Sequence, residues 1–186
     1  MNMMKKIFPL SSAMTGSLKK YLIGMLIYAG IYCVADFLLS LPFAILRLPV
    51  ALLSLIPYVG ALINMLASSL LSSLEVIPTA LVGVYCFTGA IFLTVLFWKS
   101  HIQREQVKKI FPAAFLFIEN GEKFAWGCIL FVVIYFVADA ILLSVGVAFL
   151  LLDAVFGVLC VVWWMYYVAT VTMHILAFRE SGKKES

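Results

Sequence analysis

The chain has 186 residues, of which 65% are hydrophobic and only 12% charged, with a net charge of +4. Soluble domains run near half and a quarter in those two classes, so the composition points to a lipid bilayer. Twelve of the 13 Lys and Arg residues fall within 5–20, 99–123 and 179–184; nothing here makes the basic face of a folded soluble domain, which argues against nucleic acid as a partner.

The first predicted element is a short lead-in. Met3, Ile7, Leu10, Met14 and Leu18 form a loose apolar stripe, lysines supply the wet side, and Gly16 ends it. A helix lying in the headgroup plane fits this pattern; a frayed amphipathic lead-in fits it equally. A span follows at about 20–41. Lys20 to Arg47 encloses 26 residues whose only charge is Asp36, and a membrane-crossing helix needs about 20 apolar residues. Lys19 to Ala35 loosely resembles a cleavable leader. Its IYCVAD ending recurs as IYFVAD at 134–139, where cleavage would cut the chain in two.

Residues 47–75 read RLPVALLSLIPYVGALINMLASSLLSSLE. They are too short for two full spans and carry breakers at Pro49 and 56–60. One full crossing would put two basic segments on opposite sides, whereas short basic loops stay cytoplasmic. The expectation is a re-entrant or short helical hairpin with half-helices at about 49–56 and 61–73, turning at 57–60 and entering from the outer side. Ala61, Asn64, Ser68, Ser72 and Glu75 form a small, polar stripe on its second half. In lipid such residues face protein or water. Arg47, Asn64, Ser68 and Ser72 are therefore candidate polar lining, with tight helix packing the competing explanation. Val76 to Trp98, 23 residues without a charge, is the next span.

A second lead-in follows the basic loop. Val107, Ile110, Phe111, Ala114, Phe115 and Ile118 recur at helical spacing. Proline belongs in the first turn of a helix and not in its interior, so Pro112 puts the start near Phe111. The ENG at 119–121 reads as its stop. Lys123 to Arg179 then encloses 55 residues whose only charges are Asp139 and Asp153. Two spans are predicted there, about 124–148 and 153–178, with Asp153 as the N-cap of the second.

KKIFP at 5–9 recurs at 108–112, and the same shift of 103 places Lys20 on Lys123, Gly24 on Gly127 and IYCVAD on IYFVAD. Over these 32 ungapped positions 12 are identical. We read a tandem duplication, unit 1 at 1–107 and unit 2 at 108–186. The returning helices, VLFWKS at 95–100 and ILAFRES at 175–181, match at a shift of 80, so the first unit carries the insert. The predicted fold is an all-α polytopic membrane protein: two parallel repeats of interfacial helix plus transmembrane hairpin, giving four full spans plus the inserted hairpin. Both termini are expected in the cytoplasm, in a cell membrane of the prokaryotic inner-membrane kind.

Asp36 and Asp139 each lie 16 residues beyond a lysine, about 24 Å along a helix, in the outer third of a hydrocarbon core about 30 Å thick. Desolvation and a nearby like charge both favour a protonated carboxyl. They are the candidate proton, cation or substrate site; capping, pairing with Arg47 or reaching outer water is the plainer reading. The four cysteines stand in apolar runs without a C-x-x-C pair and read as small buried hydrophobes. His101 and His174 are not placed to share a metal. No nucleotide loop, nucleophile elbow or zinc motif occurs, so neither enzyme nor cofactor is expected. Two functions remain: a transporter or permease-type component, or a non-catalytic accessory or scaffold subunit of a larger membrane complex. Either suggests a homo-oligomer or larger assembly.

Overall fold

The computed structural model describes residues 2–53, 56, 59–100, 104–148 and 153–181. The described residues form helices and no strands: α1 (Asn2–Ile7), α2 (Pro9–Ala13), α3 (Leu18–Leu53), α4 (Val59–Lys99), α5 (Arg104–Ile110), a 3₁₀ turn (Pro112–Phe115), α6 (Gly121–Ala148) and α7 (Asp153–Ser181). Four helices, α3, α4, α6 and α7, are long and apolar enough to cross a membrane. Leu26, Phe37, Ile77, Val84, Trp126 and Phe136 are among many large apolar side chains left exposed on them. That surface suits lipid, where each backbone group must also be bonded internally, as a helix does. The chain is a multi-pass helical membrane protein. It divides into two compact units, Met1–Ala29 with Phe87–Ser186, and Gly30–Cys86.

In the first unit both KKIFP copies make the same corner. α1 ends at Ile7 and α5 at Ile110. Phe8 then takes φ −119°, ψ 68° and Phe111 φ −119°, ψ 58°. A following proline pushes its predecessor off helical backbone and is itself at home in the next first turn. The Phe8 N–H closes onto the Met4 carbonyl at 2.9 Å and that of Phe111 onto Val107 at 2.8 Å. Both phenylalanines are buried. The amphipathic helix expected to start near Phe111 instead ends before it, as α5, and only a 3₁₀ turn follows Pro112. Phe117, at φ 60°, reverses the chain in the left-handed region.

The spans that follow start alike. Ser17 Oγ accepts the Lys20 N–H at 3.2 Å, and Asn120 Oδ1 accepts the Lys123 N–H at 2.8 Å. These are N-caps of α3 and α6; ENG thus opens a helix where a stop was expected. Six residues beyond the first residue of each helix stands a glycine pressed against its neighbours. A Cβ on Gly24 would lie 2.8 Å from Leu93 and 3.0 Å from Met14; one on Gly127 would lie 2.9 Å from His174 and 3.2 Å from Phe117. Gly127→Ala is therefore expected to cost about 1–3 kcal/mol by overpacking. Gly30→Ala, with open space around it, should gain up to about 1 kcal/mol of helix propensity. Reversible unfolding in mixed micelles separates the two outcomes.

In the second unit, Gly30–Cys86, the structure corrects the sequence reading. Helix breaks are absent near 41–49 and 73–76: α3 runs on to Leu53 with Pro42 and Pro49 inside it, and α4 begins at Val59 and carries Pro78. Each proline forfeits one backbone bond and favours a kink. Ending the helix within lipid would orphan more groups than that, so the helix is kept. α3 and α4 are thus continuous helices of 36 and 41 residues where a separate hairpin was expected. α3 ends at Leu53 and α4 begins at Val59; of the turn predicted at 57–60, Pro57 and Tyr58 lie outside the described residues. The Ile56 N–H reaches the Leu53 carbonyl at 3.1 Å and the Gly60 N–H the Ile56 carbonyl at 2.9 Å.

Candidate functional site

A polar seam runs between α6 and α7. Phe124, Phe131, Tyr135 and Asp139 lie on one face of α6 by their spacing of seven, four and four. Facing them on α7 are Trp164, Tyr167, His174 and Phe178. The Trp164 indole N–H donates to Asp139 Oδ1 at 3.0 Å. The Tyr135 and Tyr167 rings are 4.7 Å apart. Asp139 is half-buried and, among the described residues, has no cationic partner. The WWMYY run at 163–167 is thus packing and hydrogen-bonding material: Trp164 holds Asp139, Met165 is buried, and Tyr166 stacks on Phe111 at 4.9 Å.

Nearer the corners, the seam ends in a fully buried histidine. His174 Nδ1 lies 3.0 Å from the Ala114 carbonyl. A carbonyl only accepts, so Nδ1 carries the proton. The ring stacks on Phe124 at 4.8 Å and meets the edge of Phe131 at 5.0 Å. Its Nε2 has no partner among the described residues. The other corner has its own latch. Ser11 Oγ donates to the Gly89 carbonyl at 2.9 Å and lies 2.7 Å from the Tyr28 hydroxyl, while Tyr21 pairs with Thr94 at 3.1 Å. Ser11 and Ala114 are equivalent at a shift of 103, Thr94 and His174 at 80. Each latch ties a corner to its returning helix with one polar side chain, placed on opposite partners.

In the unit Gly30–Cys86, Asp36 is half-buried one helical turn after Tyr32, as Asp139 follows Tyr135. It has no hydrogen-bonding or ionic partner among the described residues. The predicted lining residues separate into two groups. Arg47 and Ser72 come together: Arg47 Nη2 lies 2.6 Å from Glu75 Oε2 and 3.2 Å from Ser72 Oγ. Arg47 is therefore Glu75's partner, not that of Asp36. Ser68 Oγ donates to Asn64 Oδ1 one turn earlier on the same helix at 3.0 Å, with Asn64 exposed.

The side chains of Asp153 and His101 lie outside the described residues. Cys86 and Cys160 are buried, Cys33 and Cys128 half-buried, and all four are free. Sequence reasoning missed the latches and the Asp139–Trp164 bond. One signal was available: Tyr32 and Tyr135 stand four residues before the two aspartates, marking a wetter helix face. Comparison with protein-family models, with curated proteins and with solved structures finds no match to this chain.

Proposed function

We propose that the chain is a small membrane transport component whose intramembrane acids, Asp139 and Asp36, exchange a proton or a cation. The observation that carries this reading is the pairing pattern of the charges. Arg47 and Glu75 neutralise each other, whereas Asp139 has only a neutral indole donor. A carboxylate in hydrocarbon costs about 2.5–3.5 kcal/mol on insertion scales; without a fixed counter-charge it is relieved by a proton or an incoming cation. The matched corners, caps and glycines support a duplicated architecture, with α1–α2 and α5 at one interface and both termini and the 99–123 loop in the cytoplasm. Cysteines at Ser100 and Ser181 are then labelled from the same side; labelling from opposite sides would overturn that topology.

Asp139→Asn and Asp36→Asn keep shape and remove charge. In reconstituted vesicles each is expected to impair proton- or cation-dependent flux. Variants that fold and conduct like the parent would refute the transport reading. The accessory-subunit reading is favoured by a different feature: exposed Asn64, Ser69, Ser72 and Ser73 on an otherwise apolar hairpin, a surface that another membrane chain would cover. Unaltered flux together with loss of a co-purifying partner on Asn64→Leu is its signature.

A further inference from the structure

We infer that the crevice between the first turns of α3 and the middle of α7 is a binding site for one acyl chain of an anionic membrane lipid. Leu22, Met25, Leu26 and Ala29 form one wall, and Val162, Met165, Tyr166 and Ala169 the other. These residues recur at helical spacing on each helix, so each wall is a single face. Phe111 lines the same crevice from the second corner, held by its stack on Tyr166. The Tyr166 hydroxyl is tied in turn to the Ile110 carbonyl at 3.1 Å. The walls are therefore fixed by the fold.

The volume is about 230 Å³. Pockets for compact drug-sized ligands run about 300–1,000 Å³, so this one suits a slender chain. Its lining is apolar apart from the Tyr166 hydroxyl, which is already engaged; the occupant's inserted part must be hydrocarbon. Charge decides which lipid. Lys19 precedes Leu22 by three residues and Leu26 by seven, placing it on the crevice face of α3. Lys108 and Lys109 immediately precede Ile110 and Phe111. All three lysines are exposed. None of them makes an ion pair among the described residues. Lysines beside an anionic surface contribute about five-fold in affinity each. An acyl chain in the crevice puts its headgroup at the level of these cations, so a phosphate with net negative charge is selected over a zwitterion.

The test uses the full chain in nanodiscs doped with diazirine-bearing phosphatidylglycerol or phosphatidylcholine of identical chains, with labelled peptides mapped by mass spectrometry. The anionic probe is expected to label 22–29 and 162–169 in preference to other lipid-facing helix. Leu26→Trp, at a position 56% exposed, fills the mouth without entering the packed interior and should cut that labelling several-fold. Lys19→Glu with Lys109→Glu should remove the preference for the anionic probe while leaving some labelling by either. Equal labelling by both probes in the parent, labelling spread evenly over every span, or labelling indifferent to Leu26→Trp would each overturn the proposal. None of these readouts depends on flux.

Discussion

Phe111→Ala is expected to destabilise the unit Met1–Ala29 with Phe87–Ser186 by about 3–5 kcal/mol, the range for deleting a buried phenylalanine. The side chain is 1% exposed. It stacks on Tyr166 at 4.9 Å and meets the edge of Tyr21 at 6.2 Å. Tyr21 in turn stacks on Phe97 at 4.5 Å, so the Phe111 ring bridges α3 and α7 and reaches α4 through Tyr21. Lipid is as apolar as the core and supplies little driving force for burial; the loss would come chiefly from packing contacts that a cavity cannot replace. Phe8→Ala, at the equivalent corner, should act in the same direction. Phe136→Ala, at a position 64% exposed, removes as many atoms from the lipid side and should change stability by about 0.5 kcal/mol or less. Unfolding in mixed micelles by sodium dodecyl sulfate reads all three. Equal effects at Phe111 and Phe136 would mean that the corner is not packed as described.

Much of this fold was legible in the residues. Four apolar stretches bounded by lysines specify four spanning helices, because hydrocarbon thickness sets the length and lysine marks the edge. The corners were not read from KKIFP: the apolar stripe runs through Pro9 and a helix is expected to start near Phe111, whereas each proline acts locally on the residue before it and the helices end at Ile7 and Ile110. The segment 47–75 was misread for a related reason. Pro42, Pro49 and Pro78 carry a local signal to break, but a membrane penalises a broken helix more than a kinked one. The latches were illegible because their pairing is crossed. Ser11 finds a carbonyl on α4, whereas its counterpart Ala114 offers its own carbonyl to His174. A self-alignment compares like with like and passes over that exchange. Asp139 was picked out by its charge and by its match to Asp36, each 16 residues beyond a lysine; its indole donor on the facing helix is a tertiary fact.

The second large effect is expected in the unit Gly30–Cys86. Arg47→Leu alone, or Glu75→Leu alone, should cost about 2–3 kcal/mol, and the two together should restore stability to within about 1 kcal/mol. The Arg47–Glu75 pair is 2.6 Å long, with side chains 42% and 21% exposed. That exposure is to an apolar neighbourhood: Leu46, Leu48, Leu74 and Val76 are all exposed around it. Removing one partner leaves a lone charge facing hydrocarbon, worth about 2.5–3.5 kcal/mol at the bilayer centre and less towards the interface. Ser72, 3.2 Å from the guanidinium, offsets only part of this for a stranded Arg47, and Glu75 has no such second partner among the described residues. Both single variants should therefore be clearly less stable than the double one. Near-neutral single variants would place the pair in water, where an exposed ion pair contributes about 0–1 kcal/mol. Additive effects would mean that the two side chains do not act as a pair.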